Sequence, residues 1–193
     1  MLNAQGSMPN DPELIAVDEQ RRLLDLARRA LEARVRGTAP PAVETDADDP
    51  RRGAFVSIFR RGELRGCLGR LTSNLPIRRI VFQLAQAVAD SDPRFEKVVV
   101  SELNEIGLEI SVLTRQREVT SVGEIEVGRH GLIVEHGTSR GLLLPQVPIE
   151  QGWDRDTFLD HTCLKAGLDA GAWRRGARIF IFEAQVFGER THG

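Results

Sequence analysis

The stretch Leu64-Arg65-Gly66-Cys67-Leu68-Gly69 sets one of the chain's two cysteines beside an arginine and between two glycines. Cysteine attacks or ligates as the thiolate, and a neighbouring guanidinium favours that form. Alternate residues of an extended strand share a face, so Arg65, Cys67 and Gly69 are predicted on one side. Leu64, Gly66 and Leu68 then take the other side, with the two leucines turned to the core. On this reading Cys67 is a candidate nucleophile or covalent carrier, and Arg65 lowers its pKa or grips an anion. Gly66 and Gly69 leave room for a ligand or a second backbone. The competing reading makes Cys67 a small buried hydrophobe with a packing role. A nucleophile also needs a base, and none of His130, His136, His161 and His192 is spaced so as to be forced near Cys67.

Two further groups carry charge where it can matter. Asp92 and Arg94 fall on the loop Asp90–Phe95, where they either cap the chain and pair locally or contact an anion or substrate. Glu109 and Ser111 oppose the apolar side of their strand, as a solvent-facing stripe or as the lining of a cleft. His161 and Cys163 are two apart on a predicted helix and point about 200° apart around its axis, so they cannot share a metal. With no paired cysteines and no helical His-Glu motif, no metal site is expected, and no cofactor is assigned. Cys163 reads as core. No phosphate-binding glycine loop and no nucleophile-elbow motif occurs.

The elements that must position these residues follow from periodicity. Residues 18–36 place Leu23, Leu24, Ala27, Ala30, Leu31 and Arg34 at helical spacing, an amphipathic helix that covers a core. Residues 37–53, with Pro40, Pro41 and a run of acids, read as an exposed connector. Residues 54–60 alternate, and Arg61-Gly62 turns the chain into 63–70 as a hairpin. From Pro76 the period changes to helical, with Ile77, Ile80, Val81, Leu84 and Val88 on one face, until Pro93 ends the helix. Residues 106–113 alternate strictly, 130–147 read as a second hairpin, and Asp154 is placed to cap a helix that stops at Gly167. Residues 177–189 close the pattern as one strand. Strands near both chain ends with helices between them make the fold class α+β.

Composition narrows the function classes. The 193 residues are 41% hydrophobic and 28% charged, an ordinary folding composition for one domain or a large domain with a smaller lobe. A net charge of −2 carries no basic footprint for nucleic acid. No apolar run is long enough to span a membrane, and the first residues have neither a basic nor an apolar secretory region, so a cytosolic protein is expected, with no membrane partner. Oligomeric state is not encoded in any of these features.

Taken in order, "LRGCLG", "DPRF", "LEISVLT", "VGEIEVGRHGLIVEHGTSRGLLLPQV", "WDRDTFLDHTCLKAGLDAGAW" and "FEAQVF" resemble the AMMECR family over about Leu23 to Phe187. The family's six-residue hallmark usually has isoleucine where this chain has Leu68, a near-isosteric change. The resemblance implies a single AMMECR-like domain over 1–193 with two lobes. The larger is an antiparallel-type sheet flanked by helices, expected at 12–75 and 105–193, and the smaller is a mixed lobe inserted at about 76–104. It places the hallmark hairpin near their junction, where an inter-lobe cleft would hold Cys67 and Arg65. It also implies a place beside a Memo-type protein and a radical S-adenosylmethionine protein, as protein A of that three-part set. No established reaction comes with the resemblance. Two readings stand: a binding or accessory module of that set, or a cysteine-dependent enzyme acting on a small substrate.

Overall fold

The computed structural model describes residues 14–45 and 52–189. The expectations for the first residues, for part of the acidic connector and for His192 lie outside them. The described chain falls into two compact units. The first runs to Leu113 and resumes at Gln185, and the second is Thr114–Ala184. Among the described residues no helix is long and apolar enough to cross a membrane.

The first unit is one sheet with helices on its inner face. Strands β1 (Ala54–Arg60), β2 (Glu63–Arg70), β3 (Ile106–Leu113) and β8 (Ala184–Gly188) lie in the order β2-β1-β3-β8. β1 pairs antiparallel with both β2 and β3. The β1–β2 turn is tight, because Arg61 at φ 53° and Gly62 at φ 82° both take the left-handed conformation that matches strand twist. Helix α1 (Val17–Arg36) begins with Asp18 and Glu19 and ends with Arg34 and Arg36, charges that complement its dipole. Its Leu23, Ala27, Ala30 and Leu31 are fully buried. Helix α2 (Ile77–Ala87) buries Ile77, Ile80 and Val81 completely in the same core, against Val56, Ile58, Leu108 and Ile110 of the sheet.

The second unit is a sheet in the order β4-β7-β5-β6, formed by β4 (Arg117–Glu118), β5 (Gly131–His136), β6 (Ser139–Leu143) and β7 (Arg178–Phe182). It also holds the short helix α3 (Gln146–Gln151) and α4 (Arg155–Lys165). The Asp154 carboxylate caps α4 by accepting from the Thr157 N–H at 2.8 Å. Phe158 and Leu159 of α4 are fully buried with Leu132 and Ile181.

Three sequence expectations need correction. The segment 76–104 is not a separate lobe: its helix α2 packs with α1 against β1 in the first core, and the inserted unit is 114–184. Residues 177–189 are two strands in different sheets, divided at Glu183, whose N–H donates to Thr114 Oγ1 at 2.8 Å and whose C=O accepts from the Thr114 N–H at 2.9 Å. The alternation along β2 is broken by a β-bulge, since Ile58 pairs with Gly66 but Phe59 pairs with Leu64, leaving Arg65 as the extra residue. Leu64 is therefore exposed opposite Phe59, and of the two leucines Leu68 alone packs on the core.

Candidate functional site

Cys67 lies on β2, an outermost strand of its sheet, where a main chain with no neighbour on one side would hold unpaired polar groups. The loop after α2 supplies them with side chains. The Cys67 N–H donates to Asp92 Oδ2 at 2.9 Å, and Arg94 Nη2 donates to the Cys67 carbonyl at 3.0 Å. Arg94 also holds Asp92, through Nε at 3.0 Å, Nη2 at 2.8 Å and its own backbone N–H at 3.1 Å. The proline between them ends helical geometry, and a turn closed by the Phe95 N–H on the Asp92 carbonyl presents both side chains to the strand. Asp92 is buried, with its carboxyl held far below the usual carboxylate range by the Arg94 guanidinium first and by the N–H groups of Cys67 and Arg94. The guanidinium of Arg94 is stabilised in turn, chiefly by Asp92 and further by the Cys67 side chain. Asp92 and Arg94, read from sequence as a capping pair or an anion contact, thus fix both backbone polar groups of Cys67.

The Cys67 side chain stands on the face of the sheet opposite the helices, because its neighbours Gly66 and Leu68 face the core. It is half-buried and not part of a disulfide. Register places Ser57 opposite Cys67 on one side and opposite Glu109 on the other, so thiol, hydroxyl and carboxylate form a row across three strands. Ser111 is on the same face, opposite Phe55. Burial raises the pKa of Glu109, and among the described residues its carboxylate has no hydrogen-bond or ion-pair partner. Ser57 had no distinguishing signal in the sequence, where a polar residue in an alternating strand reads as a wet face; the strand pairing is what reveals it.

The other hallmark residues serve structure. A side chain on Gly66 would press on Val88 and Ile58, so this glycine admits the end of α2 to the sheet. The space beside Gly69 is filled by the Phe55 ring, which covers the bare backbone. Arg65 is not beside the thiol in the role expected of it. As the bulge residue it turns to Glu102, with Nε to Oε1 at 3.0 Å and Nη2 to Oε2 at 3.1 Å, and donates to the Glu96 carbonyl at 2.8 Å. Glu102 is buried, and Arg65 is the main cause of its lowered pKa. Arg94 is the guanidinium that adjoins Cys67.

This hairpin-and-loop arrangement is set in a chain whose residues 24–187 match the AMMECR1 family model. The chain belongs to the AMMECR1 family. A protein of Methanothermobacter thermautotrophicus is 42% identical over 182 residues, covering 89% of this chain and 95% of its own. One from Thermofilum pendens is 40% identical, covering 92% of each. The crystal structure of the uncharacterized protein PH0010 from Pyrococcus horikoshii superposes with a TM-score of 0.73 at 37% identity, covering 88% of this chain and 90% of its own. The AMMECR1 member described here thus has the α+β class read from its periodicity.

Its remaining chemistry-bearing residues lie in the second unit. His130 is buried, its Nδ1 accepting the Glu126 N–H at 3.0 Å, and burial lowers its pKa. His161 stacks on Trp153 with ring centroids 3.9 Å apart, and His136 ends β5. Cys163 is fully buried, which pushes its thiol up. No group of three or more His, Cys, Asp or Glu among the described residues is arranged to hold a metal.

Proposed function

We propose that this protein is an accessory module that holds a small molecule on the outer face of its first sheet, within reach of the Cys67 thiol. The partners are the Memo-type and radical S-adenosylmethionine proteins of the three-part set. One observation carries this reading: both backbone polar groups of Cys67 are fixed by the side chains of Asp92 and Arg94 while its thiol stands outside the core. A cysteine used only for packing would face inward with Gly66 and Leu68.

The test is reconstitution of the three purified proteins, with consumption of S-adenosylmethionine as the readout. Cys67→Ser should melt at the wild-type temperature and abolish the increment in consumption that this chain gives the mixture. An unchanged increment contradicts the reading. A second reading, a cysteine-dependent enzyme, is favoured by the carboxylate and hydroxyl in register with the thiol. In it Cys67 is the nucleophile, and Arg94, not Arg65, is the guanidinium that adjoins it. A substrate-derived mass increment on the Cys67 peptide after turnover supports it; no increment in acid-quenched mixtures rejects it.

A further inference from the structure

Several half-buried or buried acids of the first unit are held by an arginine. Glu19 meets Arg78, Glu102 meets Arg65, Asp90 meets Arg34 and Glu189 meets Arg28. Glu109 departs from this pattern, since its carboxylate gives up part of its hydration and receives no cation or donor from the described chain. An uncompensated charge costs folding free energy, and such costs collect where a ligand supplies the missing partner. The position of Glu109 is also particular. Its register partner on β1 is Ser57, whose register partner on β2 is Cys67. Adjacent strands lie about 4.8 Å apart, so the row spans about 10 Å from thiol-bearing to carboxylate-bearing backbone. Phe55 and Phe59 flank Ser57 on the same face of β1, about 7 Å to either side along the strand, and both are half-buried, so they give the row apolar neighbours.

Resting on the reading of this face as a ligand surface, we infer that Glu109, Ser57 and Cys67 form one site for a small molecule bearing a primary ammonium group. The ammonium ion pairs with Glu109. The body of the molecule crosses Ser57, whose hydroxyl has no hydrogen-bond partner among the described residues, and its far end reaches the Cys67 sulfur. The Arg94 charge near that end is balanced by Asp92, so the row's net field is set by Glu109.

Two reagents of equal reach and opposite charge test this in the intact chain: aminoethyl methanethiosulfonate and sulfonatoethyl methanethiosulfonate. In each case the Cys67 thiolate attacks the sulfenyl sulfur, a mixed disulfide forms, and methanesulfinate leaves with the electron pair of the broken S–S bond. Rates at Cys67 are read by peptide mass spectrometry at low ionic strength and divided by the rates for a free small thiol. The normalised cation-to-anion ratio should fall about fivefold or more in Glu109→Gln, the scale expected for one charge at this separation near a protein surface. The comparison cancels the contribution of Arg94, which both proteins share. Rapid labelling with a ratio unchanged within twofold overturns the inference and leaves the Cys67 surface standing. No labelling of the folded protein by either reagent overturns the surface itself. Folding of Glu109→Gln is checked by its melting temperature, which should be no lower than that of wild type.

Discussion

Removing Asp92 should loosen the strand that bears Cys67. In Asp92→Ala the Cys67 N–H and the Arg94 N–H lose a carboxylate acceptor at 2.9 and 3.1 Å. A hydrogen bond to a charged group is worth about 1.5–3 kcal/mol where it is buried. The Arg94 side chain is 57% exposed, so its guanidinium returns to water and its ion pair counts for only about 0–1 kcal/mol. The N–H groups, at a strand edge and in a loop, also regain some hydration. The net cost is about 3 kcal/mol, equivalent to a melting temperature lower by about 6–12 °C in a chain of this size. Asp92→Asn keeps the shape and one acceptor oxygen and should lose about half as much. The folded-state pKa of Asp92 is depressed, so its contribution is present above the unfolded value of 3.8 and is lost as pH falls through and below it. The cost should therefore be flat from neutral pH to about pH 5 and shrink below about pH 4. Urea unfolding gives the stability, and amide exchange at Cys67 gives the local effect, expected to quicken on the order of 100-fold. A stability within about 0.5 kcal/mol of wild type, or an unchanged Cys67 exchange rate, refutes the brace.

Three other outcomes follow from the same geometry. Glu109→Gln should raise the melting temperature at neutral pH. The raised carboxyl pKa means that wild type loses stability as pH climbs from 4.5 through the folded value, so the gain should vanish near pH 4, and a lower melting temperature at pH 7 contradicts the assignment. Arg65→Ala should cost about 2–3 kcal/mol by leaving the buried Glu102 with Arg60 as its remaining cation, yet change Cys67 alkylation less than twofold; a large change in alkylation would restore the role first read from sequence. The His130 imidazole should titrate below 6.5 by NMR, with stability present above that value and lost as pH falls from 6.5 toward the folded pKa, whereas a midpoint at or above 6.5 contradicts its burial as a neutral acceptor.

What the sequence reveals here is what depends on neighbours along the chain. The apolar face of α1, the alternation of β3, the Arg61-Gly62 turn and the Asp154 cap each follow from residues within about one or two turns of each other, and each is found in place. The bulge at Arg65 does not, because it is a property of pairing with β1, and it alone moves Arg65 and Leu64 from where strict alternation puts them. The brace on Cys67 is legible only in its parts: "DPRF" and "LRGC" are visible motifs, but 25 residues separate Cys67 from Asp92, and nothing local joins them. The Cys67–Ser57–Glu109 row is hidden for the same reason, being a cross-strand pattern spread over residues 57 to 109. The extent of the inserted unit is set by which sheet a helix packs on, and the amphipathic pattern of α2 does not carry that information.

The central claim is that the fold holds Cys67 outside the core as a usable thiol. Titration of the native protein with a small alkylating agent, with the modified residue located by peptide mass spectrometry, tests it most directly. One thiol should react per folded chain, at Cys67, while Cys163 stays unmodified until denaturant is added. Reaction of neither cysteine before unfolding, or of Cys163 first, would show that Cys67 is not a usable thiol held outside the core.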